Sequence, residues 1–285
     1  MTSAARPRLF ITGATGTLGR EIARQLASSG WTLTAGVRDP ARAQLPGAAQ
    51  AVPFDFQVPA TYGALAGVDH LFLMLPPGTS PRTHVFPVID AAHANGVRQV
   101  VFLSILGAQN LPFLPHRQIE RHLEQSGLDW VFLRASYFMQ NLIGVHRDDI
   151  RQRDELYLPA GQGRTSFVDA RDVAAVAALA LQRGHAREAY DLTGDVALTY
   201  DEVAAILSVT LGRRIQHADP APLTFLRTAA ARGVAPGFAL FMLAEYTVAK
   251  LGRAGRTAPD LGRVLGRPAT TFRQFAEDHR DHWLR

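Results

Sequence analysis

The sequence predicts an α/β fold in which a doubly wound parallel sheet is followed by a smaller, mainly helical C-terminal lobe. Apolar, strand-like runs alternate with helix-like segments through the first half of the chain. Runs such as His70–Leu75 are apolar over nearly their whole length, which is typical of strands covered on both faces. Beyond residue 135 the alternation becomes less regular. We therefore predict one domain over 1–135 and a lobe over 136–285, with 165–195 packing back on the first domain.

The elements of the first half have local signals. Leu18, Ile22 and Leu26 recur at helical spacing, which predicts one buried face of a helix. The predicted strands are Leu9–Thr12, Trp31–Val37, Ala51–Phe54, His70–Leu75, Gln99–Leu103 and Trp130–Leu133. The predicted helices between them are Thr17–Ser29, Pro59–Ala66, Pro81–Ala94 and His116–Ser126.

The second half is predicted to contain one strand, Tyr190–Leu192, and helices that are mostly rich in Ala, Leu and Phe. These helices are Ala170–Gln182, Tyr200–Leu211, Leu223–Arg232, Gly237–Leu251 and a charged tail over Thr271–Arg285.

Composition excludes several kinds of chemistry. The chain has 285 residues, no cysteine and a formal net charge of +5. Without cysteine there is no disulfide, thiol catalysis or Cys-ligated metal, and His279 with His282 lacks a third ligand pattern, so no metal is expected. Lys250 is the only lysine, so the Gly-Lys of a Walker P-loop is absent. The basic balance indicates an anionic partner.

Location and macromolecular partners are predicted from absent signals. Met1–Arg8 is a short polar arm rather than a signal peptide. No apolar run approaches the roughly 20 residues of a membrane span. The arginines are scattered, with no recognised DNA-binding motif. We expect a cytoplasmic protein, monomeric or homodimeric, that binds a small-molecule substrate and neither nucleic acid nor membrane.

A glycine-rich loop is the most informative motif. Thr12-Gly13-Ala14-Thr15-Gly16-Thr17-Leu18-Gly19 follows a strand and opens a helix. Gly13 permits a tight turn, Gly16 lets the backbone approach a pyrophosphate, and Gly19 allows close packing of the helix on the sheet. Free N–H groups at the helix start then face the phosphates. The loop predicts a dinucleotide-binding (Rossmann) domain, although a turn followed by a helix cap explains the glycines as well.

The end of the second strand predicts which dinucleotide binds. An acidic residue there would bind the ribose hydroxyls of NAD. This chain has Arg38 instead, whose charged fork suits a 2′-phosphate, unless it is a solvated surface charge. Asp39 precedes Pro40 and is interpreted as a cap of the next helix. We predict that NADP(H) is preferred over NAD(H).

Taken together, these motifs resemble the atypical, NmrA-like branch of the short-chain dehydrogenase/reductases. The matching segments are the Thr12–Gly19 loop, Gly36–Pro40, Asp55-Phe56, Asn95–Val97, Phe102–Ser104, Leu128–Arg134, Tyr137–Asn141, Phe167–Asp169 and Asp172–Ala174. The resemblance implies NADP(H) and a C-terminal lobe that covers the nicotinamide. The predicted cofactor contacts are Gly13, Thr15, Gly16, Thr17, Leu18, Gly19, Arg38, Asp55, Phe56, Leu75, Pro76, Ser104, His116, Tyr137 and Phe138.

Catalytic candidates depart from the main branch of that superfamily, which uses Ser, Tyr and Lys. The Tyr-x-x-x-Lys of Tyr246 and Lys250 lies far downstream and is interpreted as a coincidence of helical spacing. NmrA-like enzymes often have Lys where this chain has His116, which is either a general acid, a ribose contact or a solvent-facing residue. Ser104 ends a strand where ligands bind, unless its hydroxyl caps a local turn.

The segment after the sixth strand supplies the remaining candidates. Tyr137 is a third catalytic candidate, and Phe138 and Asn141 are predicted to orient a flat substrate. Arg134 ends a buried strand, where a structural ion pair is favoured over catalysis. Phenylalanines of the lobe either cover the substrate or pack in the core, namely Phe138, Phe225, Phe238 and Phe241.

The predicted function is an NADPH-dependent reductase that transfers hydride to a small conjugated acceptor such as a quinone, imine, azo compound or enone. Two alternatives remain. The absence of a Tyr-Lys pair at the expected position favours a non-catalytic NADP(H) sensor that regulates a partner protein. An isomerase or lyase on the same fold would form product without net consumption of cofactor.

Overall fold

The computed structural model describes residues 6–47 and 49–285, so most of the N-terminal polar arm lies outside the described residues. The first of two compact units comprises the described residues up to Ala135, together with Ala170–Leu192 and Asp260–Arg267. The second comprises Ser136–Asp169, Thr193–Pro259 and Pro268–Arg285. These units differ from the predicted boundaries, because the returning segment is Ala170–Leu192 rather than 165–195 and because Asp260–Arg267 also belongs to the first unit.

The strands of the described residues are short, between two and seven residues each. They are β1 (Arg8–Thr12), β2 (Thr32–Val37), β3 (Gln50–Pro53), β4 (His70–Met74), β5 (Gln99–Ile105), β6 (Asp129–Ala135), β7 (Tyr137–Phe138), β8 (Glu155–Tyr157), β9 (Arg164–Val168), β10 (Glu188–Leu192), β11 (Ala197–Thr199) and β12 (Gln216–Ala218).

The α-helices of the described residues range from six to fifteen residues. They are α1 (Thr17–Leu26), α2 (Phe86–Ala94), α3 (Pro115–Gln125), α4 (Arg147–Arg153), α5 (Ala170–Arg183), α6 (Tyr200–Leu211), α7 (Pro222–Ala231), α8 (Pro236–Lys250), α9 (Asp260–Leu265) and α10 (Phe272–Asp278). Within the described ranges, no helix is both long and apolar enough to cross a membrane.

The first unit is built on a seven-stranded sheet in the order β10-β6-β5-β4-β1-β2-β3, with every neighbouring pair parallel. The strand order reverses between β1 and β4, which is the topological switch point where open α/β sheets bind ligands. The predicted doubly wound sheet is therefore confirmed.

Both faces of this sheet are covered. Phe10, Leu71, Val100 and Phe132 pack in one core with residues of α2 and α3. The strand residues that alternate with these and face the other side of the sheet, such as Ile11, are also fully buried. Helices α1 and α5 contact each other within the same unit. Burial of successive side chains explains the continuous apolar runs of the strands.

Three predicted helices differ from the structure. Pro59–Leu65 forms a 3-10 helix, and the segment Pro81–Ala94 opens with a π-helical turn over Pro81–Val85 before α2 begins. Pro87 has no N–H to donate to the preceding turn, so a regular α-helical ladder cannot run through this segment. The predicted tail helix is also shorter, since α10 ends at Asp278 and a 3-10 turn follows over Arg280–Trp283.

The second unit combines helices with two small sheets that the sequence does not predict. Strands β11, β9 and β7 form one sheet, and β12 pairs with β8 in parallel. Its core contains fully buried aromatic residues, including Tyr200, Phe275 and Trp283. The indole N–H of Trp283 donates to the Leu142 carbonyl at 3.0 Å, which anchors the end of the chain in this core.

Candidate functional site

The glycine loop closes tightly between β1 and α1. Gly13 has a φ of +62°, and a Cβ added there would lie 2.2 Å from Met74 Sδ. The Gly16 amide donates to the Gly13 carbonyl at 2.9 Å. A Cβ at Gly19 would lie 2.4 Å from that same carbonyl oxygen. The loop therefore excludes side chains at Gly13 and Gly19, which is what a dinucleotide-binding turn requires.

The start of α1 is open to an anion. Gly16 is the N-cap and provides no side-chain capping bond, and the first turn contains no acidic residue. Thr15, Gly16 and Thr17 are exposed, whereas the side chain of Leu18 is buried and leaves only its backbone available. Unpaired amides at a helix start, with the helix dipole behind them, favour a phosphate group. The loop thus fits the pyrophosphate of a dinucleotide.

Arg38 follows β2 directly and is exposed. Across residues 6–47 and 49–285 it has no ion-pair partner, because Asp39 pairs with Arg42 at 3.3 Å instead. The Asp39 carboxylate also accepts from the Ala41 amide at 3.1 Å, so the prediction that Asp39 caps the next turn is confirmed. The free guanidinium at this position fits a 2′-phosphate better than a ribose diol.

The remaining predicted cofactor contacts of the first unit differ in exposure. Asp55 is half-buried and accepts from the Gln57 amide at 2.9 Å. The ring of Phe56 is buried in the core edge-on to Phe54, at 5.4 Å, so this side chain packs rather than presenting a face to a ligand. Leu75 and Pro76 are half-buried and directly follow the carboxyl end of β4.

Ser104 belongs to a buried ionic network. Its hydroxyl donates to Glu120 Oε1 at 2.7 Å. Arg134 donates to both oxygens of Glu120, at 2.9 and 3.0 Å, and Arg117 donates to Oε2 at 3.0 Å. The predicted ion pair of Arg134 is confirmed. The Ser104 hydroxyl donates to Glu120 and not to a local turn, so it helps to hold that carboxylate, and its catalytic role stays a prediction.

His116 lies in the first turn of α3, four residues before Glu120. The imidazole is half-buried, and its centroid lies 6.1 Å from that of the Phe102 ring. Burial lowers the pKa of His116 to about 4, although the Glu120 charge opposes this shift. The ring is therefore neutral at neutral pH, which contradicts a role as a protonated general acid. A neutral imidazole can still donate or accept a hydrogen bond.

Tyr137, Phe138 and Asn141 all belong to the second unit. Tyr137 and Phe138 form β7, which pairs in parallel with β9, and all three residues are half-buried. Burial raises the pKa of the Tyr137 hydroxyl well above its usual value of 10.0. The catalytic role of Tyr137 and the substrate contact of Asn141 stay predictions.

His146 and Tyr246 also belong to the second unit, and His146 lies close to both tyrosine hydroxyls. His146 Nε2 lies 2.7 Å from the Tyr246 hydroxyl and 3.4 Å from the Tyr137 hydroxyl. His146 is not predicted by the sequence, because nothing near it in the chain marks it as buried. Lys250 is half-exposed and pairs with Asp219 at 3.5 Å. Because Tyr246 bonds His146 rather than Lys250, the interpretation of the Tyr-x-x-x-Lys spacing as a coincidence is confirmed.

The phenylalanines predicted either to cover the substrate or to pack in the core have different environments. Phe225 is buried and stacks on Tyr157, so it is a core residue. Phe238 and Phe241 of α8 are exposed and stack on each other at 6.2 Å.

His279 and His282 are near neighbours, with ring centroids 5.6 Å apart. In the part of the chain that the structure describes, no group of three or more His, Asp or Glu side chains is arranged to hold a metal ion.

Comparison with known proteins gives matches along nearly the whole chain. A family model described as NAD(P)H-binding matches residues 13–183. The chain is 34% identical over 279 residues to the NAD(P)H azoreductase of Xenophilus azovorans, and this match covers 95% of the chain and 97% of that protein.

Two solved structures show the same fold. The NADPH complex of the NADPH-dependent quinone oxidoreductase from Escherichia coli has a TM-score of 0.83 and 27% identity, covering 96% of this chain and 99% of that one. The negative transcriptional regulator NmrA, in complex with NADP, has a TM-score of 0.74 and 14% identity, covering 96% and 95% respectively. At that identity the likeness to NmrA is one of fold alone.

Proposed function

Because the chain belongs to the NAD(P)H-binding family, we propose that it is an NADPH-dependent reductase that transfers hydride to a small conjugated acceptor of the quinone, azo, imine or enone type. The glycine loop between β1 and α1 carries this proposal, since its backbone excludes side chains at Gly13 and Gly19. The similarity to an azoreductase and a quinone oxidoreductase supports the acceptor class.

The residues proposed to hold the cofactor lie at carboxyl ends of strands. The amides from Thr17 to Gly19 bind the pyrophosphate, and Arg38 binds the 2′-phosphate, which favours NADP(H) over NAD(H). Asp55, Leu75 and Pro76 follow β3 and β4 and contact the adenosine or nicotinamide side. His116 contacts the nicotinamide ribose as a neutral hydrogen-bonding group.

The acid candidates of the first unit bear on which acceptors suit this site. When bound, NADPH supplies the hydride. Ser104 donates to Glu120, and His116 is neutral. Neither group readily gives up a proton at neutral pH. The acceptor should therefore delocalise the added electron pair itself and take its proton from water, as a quinone does and an isolated aldehyde does not.

We also infer that the chain belongs to the NmrA-like branch of the short-chain dehydrogenase/reductases. The Thr12–Gly19 loop, the Gly36–Pro40 turn and the fold support this placement. The cytoplasmic location and the oligomeric state stay predictions.

A second candidate function is a dinucleotide sensor. The observation that favours it is the position of the only lysine, because Lys250 pairs with Asp219 rather than with a tyrosine hydroxyl. A sensor would bind NADP(H) through the same loop and regulate a partner protein without turnover.

The experiment follows NADPH absorbance with a quinone, an azo dye, a cyclic imine, an enone and a simple aldehyde. A reductase oxidises NADPH with at least one conjugated acceptor and much more slowly with the aldehyde. Tight binding of NADPH without oxidation by any acceptor would favour the sensor. Product formed without net loss of NADPH would indicate an isomerase or lyase.

A further inference from the structure

Arg20, near the start of α1, lies against the glycine loop that precedes the helix. Its side chain is half-buried, and its Nε donates to the Thr15 carbonyl at 2.9 Å. Side chains of a helix point back toward the N-terminus, so an arginine at this position covers the turn before its own Cα. Thr15 is exposed, which places the guanidinium at the open side of the loop. Arg20 and the loop both belong to the first unit.

The positive charge of Arg20 is not balanced by a carboxylate. Within the part of the chain that the structure describes, Arg20 forms no ion pair, because the neighbouring Glu21 pairs with Arg24. The first turn of α1 contains no acidic residue. The N-terminus of a helix favours an anion and disfavours a cation. An arginine held at this helix end without a counter-charge therefore indicates that a negatively charged ligand completes the arrangement.

Arg20 and the backbone of the loop offer hydrogen-bond donors at the same place. The first α-helical bond of α1 runs from the Arg20 amide to the Gly16 carbonyl at 3.0 Å, so the amides of Thr17–Gly19 remain for a ligand. The bond to Thr15 uses Nε and leaves the N–H groups of Nη1 and Nη2. The planar fork of a guanidinium matches the geometry of phosphate oxygens.

We propose that Arg20 binds the pyrophosphate of the dinucleotide together with the amides of Thr17–Gly19. The inference rests on the dinucleotide binding in the proposed function and does not require turnover. The bond to Thr15 ties Arg20 to the loop itself, whereas Arg38 follows β2 and is proposed to bind the 2′-phosphate. The pyrophosphate is common to NADP(H) and NAD(H). Arg20 therefore adds affinity for both cofactors, and Arg38 determines the preference between them.

The test measures the Kd of NADP⁺, NAD⁺ and ADP by calorimetry, with no hydride acceptor present. ADP has a pyrophosphate but neither a 2′-phosphate nor a nicotinamide, so it reports on the loop alone. We expect Arg20→Gln to raise all three Kd values roughly tenfold or more, as for loss of one charged hydrogen-bonding partner. Arg38→Ala should raise the Kd of NADP⁺ alone.

Matched variants separate a contact with phosphate from damage to the loop. Arg24→Gln removes an arginine of the same helix whose side chain is 63% exposed, and it should leave all three Kd values unchanged. Arg20→Lys keeps the charge but has no planar Nε–H for the Thr15 carbonyl, and it should recover part of the lost affinity. The Kd of Arg20→Lys should also depend on salt as the wild-type Kd does, whereas that of Arg20→Gln should depend on salt less steeply.

Unchanged Kd values in Arg20→Gln would overturn the inference. A loss confined to NADP⁺ would overturn it as well, because it would assign Arg20 to the 2′-phosphate. Equal losses in Arg20→Gln and Arg20→Lys would show that the bond to the loop matters and the charge does not. If the wild-type protein binds NADPH but never oxidises it, the reductase proposal fails while these Kd values still decide the role of Arg20.

Discussion

Arg134 holds the buried carboxylate of Glu120 through two hydrogen bonds, from Nε to Oε1 at 2.9 Å and from Nη2 to Oε2 at 3.0 Å. Ser104 and Arg117 donate to the same carboxylate. Four hydrogen bonds thus converge on a side chain with no exposed surface. They connect the carboxyl ends of β5 and β6 to the start of α3, where His116 lies.

Removal of the charge at Glu120 is expected to destabilise the protein. In Glu120→Gln, Arg134 stays largely buried without its counter-charge, and loss of one partner of such a pair costs about 3 kcal/mol or more. Glu124→Gln is the matched control, because Glu124 is an exposed partner of Arg117 and should cost less than about 1 kcal/mol. Urea unfolding measures both, and similar shifts in midpoint for the two variants would contradict the assignment.

The same carboxylate predicts a dependence of stability on acid. Burial on its own would raise the pKa of Glu120, but hydrogen bonds and charge from Arg134, with Ser104 and Arg117, lower it below the usual 4.5. A lowered pKa contributes stability that is present above the unfolded pKa and is lost as pH falls through the folded pKa.

The unfolding free energy of the wild type should therefore decline below about pH 5 more steeply than that of Glu120→Gln. Both proteins are compared by urea unfolding at a series of acidic pH values. Parallel curves for the two proteins would show that Glu120 is not ionised more readily in the folded state.

Arg38→Ala should reverse the cofactor preference. Loss of a charged hydrogen-bonding partner of the 2′-phosphate costs about 1.5–3 kcal/mol, or roughly 10- to 150-fold in the Kd of NADPH. NADH has no such phosphate, so its Kd should change little. Arg42→Ala removes an exposed arginine that pairs with Asp39 and serves as the control. Equal losses for NADPH and NADH would place Arg38 outside the phosphate site.

His116 should act without titrating near neutral pH. Burial lowers the pKa of His116 to about 4, so the ring is uncharged at neutral pH. A plot of kcat/KM against pH should therefore show no ionisation of this residue near pH 6.5. We expect His116→Gln to keep kcat/KM within about threefold of the wild type, and His116→Leu to lose roughly three- to tenfold, as for one neutral hydrogen bond. If kcat/KM of the wild type shows an ionisation near pH 6.5 that disappears in His116→Gln, His116 acts as a general acid after all.

The parts of the site that the sequence predicts well depend on local signals. The Gly13–Gly19 loop is contained in seven consecutive residues between a strand and a helix, so its geometry follows from the chain itself. The ion pair of Arg134 is predictable because a charged side chain at the end of a buried, apolar strand needs a partner of opposite charge. Its partner, Glu120, lies only one helix away in the chain.

The parts that sequence interpretation misses depend on distant contacts. Strands β8 and β12 are three residues each and pair across about sixty residues, a length at which periodicity gives no signal. The hydrogen bond of His146 joins residues one hundred positions apart. The burial of the Phe56 ring likewise depends on side chains that only the folded chain brings near.

The most direct test of the central claim is the stoichiometry of NADPH oxidation with a naphthoquinone. We expect one NADPH to be consumed for each quinone reduced, the rate to saturate with quinone concentration, and NADH to be the poorer donor. Tight NADPH binding with no oxidation above the protein-free rate, for this quinone and for the other conjugated acceptors, would contradict the claim that this chain is a reductase.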